Sequence, residues 1–143
     1  MSKFIIVPPD RIEEVWPIVA SGIARAIDSA DGEATVEDTM MELKLGRSSL
    51  VLLESDKGAV CGMVILFCNF PQYRICRVLL AFGRNIAGDP DLEAEFEAWA
   101  AARGAKYIEA WVSTDSRARL FKRHGYQPAY QVIRKEIDHV RCG

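Results

Sequence analysis

The chain has 143 residues, of which 50% are hydrophobic and 27% are charged, and its formal net charge is −2 at pH 7. This length allows one domain with one hydrophobic core, and the composition excludes a long disordered chain. The longest nearly apolar run, residues 59–68, is too short to span a bilayer, and the first nine residues lack the pattern of a secretory signal. We therefore predict a single cytoplasmic domain over residues 1–143 without a membrane partner, ending in a loose tail at 138–143.

The charges are unevenly distributed along the chain. Residues 1–102 carry nine Lys/Arg and sixteen Asp/Glu, a net of −7, whereas residues 103–143 carry nine Lys/Arg and four Asp/Glu, a net of +5. A nucleic-acid-binding protein is normally basic overall, so we expect no nucleic-acid partner. The four cysteines form no CxxC pair and the two histidines have no metal-ligand spacing. These patterns predict reduced structural thiols and no metal site.

A strand and two helices are predicted in the first third of the sequence. Residues 3–7 form a short apolar strand, and the following Pro-Pro-Asp begins a helix whose apolar residues recur with a 3.6-residue period. Pro17 falls inside that helix and is expected to kink or split it. Thr35 is a predicted N-cap for a second helix, and Gly46 is expected to end it.

The remaining sequence predicts mainly strands, with two more helices. Strands are expected at 49–54, 59–70, 73–82, 106–113 and 126–137, with helices at about 91–103 and 115–124. Residues 55–58 are predicted to form a hairpin connection between the strands at 49–54 and 59–70. Trp16, Trp99 and Trp111 lie on apolar faces and are expected in the core. This order of elements predicts an α/β fold, that is, an α+β mixed sheet with helices on both faces.

The stretch EAWAAARGAKYIEAWVSTDSRARLFKRHGYQPAYQVIRKEI, residues 97–137, resembles the C-terminal half of the GNAT superfamily, the acyl-CoA-dependent N-acyltransferases. The order of elements extends the resemblance over essentially the whole chain. It implies a GNAT-like fold with a central, mostly antiparallel sheet, and acetyl-CoA as co-substrate. Trp16, the segment 32–38 and Asn69-Phe70-Pro71 also resemble a divergent branch encoded by tailed phages and prophages. That resemblance implies a location in the host cytoplasm or the virion.

The resemblance also implies a binding site for coenzyme A. In the family, a loop of pattern Arg/Gln-x-x-Gly-x-Gly/Ala holds the pyrophosphate, and backbone N–H groups of the preceding strand polarise the acyl carbonyl. The positions that match here are Leu80, Ala81, Phe82, Arg84, Asn85, Ile86, Ala87 and Gly88. Ala87 and Asp89 stand where the family has small loop residues, and Asp89-Pro90 resembles an N-cap followed by the first helical residue. The carboxylate of Asp89 would oppose a phosphate, so a working phosphate site and a purely structural loop both stay open.

The catalytic position of the family is altered as well. Its helix pattern Leu-Tyr-x-x-x-Gly-Phe reads Leu-Phe-Lys-Arg-His-Gly-Tyr here, so Phe121 replaces a tyrosine that protonates the leaving thiolate. Phe121 keeps a place beside the cofactor but has no proton to donate. Glu109 and Tyr126 are the replacement candidates, as base and acid. The alternatives are that Glu109 pairs with an arginine or faces solvent, and that Tyr126 packs in the core.

Two functions follow from the resemblance. The first is an N-acyltransferase that transfers acetyl from acetyl-CoA to an unknown amine, on a small molecule or a protein, by direct attack. The alternative is a catalytically inactive GNAT-like binding or structural protein encoded by a phage. The family also implies a homodimer formed through edge or C-terminal strands.

Overall fold

The structure is a computed structural model that describes residues 3–28, 34–54, 60–83, 90–112 and 114–137. It contains two compact units, Met1–Trp111 and Val112–Gly143. In chain order the elements are β1 (Lys3–Val7), α1 (Ile12–Asp28), α2 (Val36–Lys44), β2 (Ser49–Glu54), β3 (Val60–Asn69), β4 (Arg74–Phe82), α3 (Pro90–Ala102), β5 (Ala105–Ala110) and α4 (Asp115–Arg123).

All five strands belong to one sheet in the order β1-β2-β3-β4-β5. The first four strands pair antiparallel, and β4 pairs parallel with β5 through the crossover helix α3. A parallel pair needs such a long connection, because a tight turn can join only antiparallel neighbours. The predicted mixed and mostly antiparallel sheet is therefore confirmed. The hairpin connection predicted at 55–58 lies outside the described residues.

Each face of the sheet carries its own hydrophobic core. Alternating residues of β2 separate the two, since Leu50 and Leu52 belong to one cluster and Val51 and Leu53 to the other. The first cluster adds residues of α1 and α2, and the second adds Leu92, Phe96 and Ala100 of α3. Trp16 packs against the first cluster and Trp99 against the second. Helices thus cover both faces, as predicted.

The two helices of the first core begin and continue for identifiable reasons. Thr35 caps α2 as predicted: its hydroxyl accepts from the Asp38 N–H at 3.1 Å, and its own N–H donates to the Asp38 carboxylate at 2.9 Å. That backbone hydrogen bond lowers the pKa of Asp38. α1 runs through Pro17 without a break, so Pro17 does not split the helix. The buried face of α1, which includes Val19 and Ile23, outweighs the lost backbone hydrogen bond.

The strand predicted at 126–137 is absent. These residues form neither helix nor strand, and the side chains from 127 to 137 are exposed. Tyr130 is 80% exposed and Ile133 is 89% exposed. β-branched residues favour a strand, but a strand forms only when a neighbour supplies its backbone hydrogen bonds. Pattern alone therefore gave the wrong assignment for this segment.

The end of β4 is packed directly against the backbone of β3. Gly83 follows β4 with a φ of +97°, and a Cβ added there would lie 2.6 Å from the Cys61 Cα. Gly104, which ends α3, has a similar φ of +86° but no atom within 4 Å of such a Cβ. The two glycines therefore share a left-handed backbone and differ in the space around them.

We expect Gly83→Ala to be much more destabilising than Gly104→Ala. The left-handed backbone costs about 1–2 kcal/mol for alanine at either position, and overpacking against Cys61 adds roughly 1–3 kcal/mol at Gly83 only. Urea unfolding of both variants measures the difference. Equal losses of stability in the two variants would contradict the close approach of Gly83 to β3.

Candidate functional site

The parallel strands β4 and β5 stop pairing halfway along β4. Their register runs from Arg74 opposite Ala105 to Val78 opposite Ala110. Beyond Val78, β4 continues for four residues, of which Leu80, Ala81 and Phe82 pair with β3 and none pairs with β5. Among the described residues, the edge of β4 that faces β5 therefore has no neighbouring strand beyond Val78. In open α/β sheets ligands bind outside the carboxyl ends of the strands, and this gap lies there.

A β-bulge lies at the point where the strands part. Val64 pairs with Leu80 and Ile65 pairs with Val78, so Leu79 has no Cα partner in β3. Leu79 has no partner in β5 either. A bulge interrupts the ladder and re-aims the backbone groups around it. We did not predict Leu79 from the sequence, because the apolar run of β4 carries no glycine or proline that signals a bulge.

The gap has apolar side chains on both sides. Leu79 is 46% exposed on β4, and Trp111, which directly follows β5, is 59% exposed. The prediction that Trp111 lies in the core is therefore wrong. Sequence reasoning misplaced it because its apolar neighbourhood resembles a buried strand, whereas β5 ends one residue earlier. Exposed apolar groups at the mouth of such a gap suit the apolar part of a ligand.

The predicted acyl-binding positions Leu80, Ala81 and Phe82 all lie at the end of β4 that pairs with β3 but not with β5. Their side chains differ in burial, since Leu80 is half-buried, Ala81 is exposed and Phe82 is buried. Phe82 packs with the core formed by α1 and α2. It can therefore act at the gap through its backbone, while its side chain holds the strand in place.

An ion pair spans the two strands just before they part. The Arg77 Nε donates to the Glu109 carboxylate at 2.8 Å, and both side chains are mostly buried, with 23% and 19% of their area exposed. The Arg77 guanidinium also lies over the Trp111 ring, 4.9 Å from its centroid. Glu109 therefore has the arginine partner that sequence analysis gave as one alternative. Glu109 lies one residue before Ala110, the last residue of β5 that pairs with β4, and it stays a candidate for proton transfer.

The loop predicted to hold the pyrophosphate, Arg84–Asp89, lies outside the described residues. The helix that follows it begins at Pro90, as predicted for proline at the first helical position. Asp91 and Glu93 lie in its first turn. Carboxylates there are stabilised by the positive end of the helix, and they add negative charge where a phosphate would approach.

The two predicted residues of the second unit contact each other. Phe121 lies on α4 and Tyr126 follows it, and their rings make an edge-to-face contact with centroids 5.0 Å apart. Tyr126 is half-buried by this packing. Phe121 thus lies on the helix where the resemblance placed it. Their roles in cofactor binding and proton donation stay predictions.

Cysteine and metal chemistry gain no support at the gap. Burial raises the pKa of the Cys76 thiol to about 11, despite the opposing effect of Arg74. A thiol that stays protonated is a poor nucleophile. Among the described residues, no group of three His, Cys, Asp or Glu side chains could hold a metal ion. None of the helices in the described part of the chain has the length and apolarity to cross a membrane.

Comparison with known proteins identifies the fold. No family model matches the sequence, and no curated protein matches it significantly. The structure resembles a ribosomal-protein-alanine N-acetyltransferase from Brucella melitensis, with a TM-score of 0.69 and 12% identity over 96% of this chain and 100% of the other. It also resembles the aminoglycoside N-acetyltransferase AAC(6')-Iy solved with CoA, with a TM-score of 0.66 and 12% identity over 96% and 95% of the two chains.

A third likeness names the superfamily directly. A GNAT family acetyltransferase from Staphylococcus aureus superposes with a TM-score of 0.61 and 14% identity, over 95% of this chain and 98% of the other. These likenesses cover nearly the whole of each chain. The chain has the GNAT acyltransferase fold, and that prediction is confirmed. The likeness to a phage-encoded branch stays a prediction.

We expect the stability of the protein to fall between pH 8 and pH 10 in part because of Cys76. In the unfolded chain the thiol ionises near pH 8.5, whereas in the folded protein its pKa is about 11. Above pH 8.5 the unfolded state therefore releases a proton that the folded state retains, which favours unfolding by about 1–2 kcal/mol at pH 10. Below pH 8.5 the thiol has no such effect.

Denaturant unfolding at pH 8 and pH 10 checks this expectation, with Cys76→Ala as the matched variant. The variant should be less stable than the native protein at pH 8, because it leaves a small cavity. It should lose less stability than the native protein on going to pH 10. An equal loss in both proteins would show that Cys76 does not titrate abnormally.

Proposed function

We propose that the protein is an acyl-CoA-dependent N-acetyltransferase that transfers the acetyl group of acetyl-CoA to an amine. The observation that supports this function is the gap where β4 parts from β5 beyond Val78, with a bulge at Leu79. Backbone N–H groups that face no neighbouring strand can hydrogen-bond a carbonyl oxygen that gains negative charge during acyl transfer. The apolar walls at Leu79 and Trp111 suit the chain that carries the thioester.

The reaction follows from the chemistry of a thioester and an amine. The amine nitrogen attacks the thioester carbonyl carbon, the C–S bond breaks, and the products are an amide and the free thiol of coenzyme A. The amine loses one proton and the thiolate gains one, so the site benefits from a base and an acid. Holding the two reactants together supplies much of the acceleration, which is why the altered position Phe121 leaves catalysis feasible.

The acceptor is proposed to be an amine of a small molecule or a protein. Structural neighbours include an aminoglycoside N-acetyltransferase, an aminoglycoside acetyltransferase solved in complex with sisomicin, and a ribosomal-protein-alanine N-acetyltransferase. Two of these names describe N-acetylation, on acceptors of very different size. We therefore propose an amine as the chemical class of the acceptor group.

Cofactor binding is proposed to use the loop as well as the gap. Arg84 and the backbone N–H groups of residues 85–88 would hold the pyrophosphate, with Asp89 weakening the interaction by its charge. Glu109 is proposed as the group that takes the proton from the amine, because it lies beside the last rung of the β4–β5 pair. Tyr126 is proposed as the proton donor. We propose the cytoplasm as the site of action and a homodimer as the assembled form.

We expect the purified protein to bind acetyl-CoA with a dissociation constant in the micromolar range, measured by calorimetric titration at low and moderate salt. The phosphate contribution should weaken as salt increases. If millimolar acetyl-CoA gives neither heat of binding nor thermal stabilisation, the proposed acetyltransferase function is wrong. That result would favour the alternative of a GNAT-like protein that acts by binding a partner.

Asp89→Gly is the informative variant for this titration. Removing the carboxylate should tighten binding if Asp89 opposes the pyrophosphate. Asp115→Gly changes the net charge equally, and Asp115 lies in the first turn of α4 rather than in the loop, which makes it a control for charge alone. Unchanged or weaker binding by Asp89→Gly would contradict the opposition between Asp89 and the phosphate.

We expect Glu109→Gln to lower kcat/KM for an acceptor amine by roughly 10²-fold, the order expected for loss of a general base. Rates are measured by following release of the coenzyme A thiol. The comparison variant is Arg77→Gln, which breaks the same ion pair but keeps the carboxylate. If Glu109 serves only the ion pair, both variants lose similar stability and similar activity, and the assignment of Glu109 as base is wrong.

A further inference from the structure

The ring of Phe82 lies between two glycines on different elements. A Cβ added at Gly22 of α1 would lie 2.6 Å from the Phe82 Cδ2 and 2.9 Å from its Cγ. A Cβ added at Gly62 of β3 would lie 2.6 Å from the Phe82 Cζ. Real Cβ atoms do not approach other atoms so closely, so both positions have room for the ring only because they are glycine.

This contact occurs where β4 needs support. From Leu79 onward the strand has lost β5 as a neighbour, and the bulge at Leu79 interrupts its pairing with β3. Phe82 is the last residue of β4, pairs with Gly62 across the sheet and is only 8% exposed. The ring therefore packs the last residue of β4 against both β3 and α1. Gly83, packed against Cys61, continues the same attachment.

We propose that Phe82 is a positioning residue for the candidate site. Its ring, held between Gly22 and Gly62, keeps the segment Leu79–Phe82 at the place from which backbone donors reach an acyl carbonyl. The inference rests on the function proposed above, and it adds that α1 takes part in shaping the site although it lies on the far side of the ring. Small displacements of donors weaken a site strongly, since such geometry must hold within a fraction of an ångström.

The competing view is that Phe82 is an ordinary core residue. On that view, removing part of its ring lowers stability and changes the site no more than any other core substitution does. Leu43 offers a matched comparison, because it lies in the same hydrophobic cluster, is 1% exposed and belongs to α2, which contributes no residue to the gap. A Leu43→Ala variant should lose at least as much thermal stability as Phe82→Leu.

The experiment measures acetyl-CoA affinity and melting temperature for three variants. Phe82→Leu removes ring atoms, Gly22→Ala pushes the ring out of place, and Leu43→Ala is the control. We expect the first two to weaken acetyl-CoA binding by roughly tenfold, through loss of site geometry. Leu43→Ala should lower the melting temperature and keep the affinity within about twofold, since Leu43 lies on α2, which contributes no residue to the gap.

Two results would overturn the proposal. One is native affinity in Phe82→Leu under conditions where it is fully folded. The other is a loss of affinity in Leu43→Ala as large as in Phe82→Leu, which would make the effect one of general stability.

Amide hydrogen exchange separates this proposal from the proposed function. In Phe82→Leu the amides of residues 79–83 should exchange faster relative to those of Val51 and Leu53 in β2, whereas Leu43→Ala should leave that ratio unchanged. If the native protein binds no acetyl-CoA, the proposed function fails, and this ratio still decides whether Phe82 holds the end of β4. A uniform change across both segments would overturn the positioning role.

Discussion

The packing of one aromatic ring between two glycines connects the first core to the candidate site. Phe82 lies against the backbone of α1 at Gly22 and against that of β3 at Gly62, so helix and sheet approach each other as closely as the thickness of a ring allows. Protein interiors are close-packed, and a displacement at one contact is passed on to its neighbours. The position of α1 and the course of the last residues of β4 are therefore linked.

This link matters because a parallel strand pair that separates is unusual within a sheet. Backbone groups inside a sheet are normally paired, and leaving them unpaired in an apolar setting costs free energy. Among the described residues, no strand pairs with β4 on its β5 side beyond Val78, and under the proposed function the ligand supplies hydrogen bonds there. The opposite end of the same strand pair is closed by the register from Arg74 to Val78, so the opening is confined to one end.

The fold brings together charged groups near the opening that are far apart in the sequence. Arg77 and Glu109 are 32 residues apart in sequence but lie opposite each other on β4 and β5, at a separation of 2.8 Å between Nε and the carboxylate. The same guanidinium reaches Trp111. This arrangement holds a charged pair at the edge of the core, where each partner reduces the cost of burying the other. It also leaves Trp111 largely exposed beside the opening.

Local sequence determined much of this protein. Periodicity and capping residues predicted β1, β2 and all four helices, since a Thr35 cap or a Gly46 stop acts through nearby backbone groups. Motif resemblance predicted the GNAT fold. Tertiary structure decided the rest. The bulge at Leu79, the exposure of Trp111 and the absence of a strand at 126–137 depend on which strand lies alongside, and pairing partners distant in sequence leave no local signal.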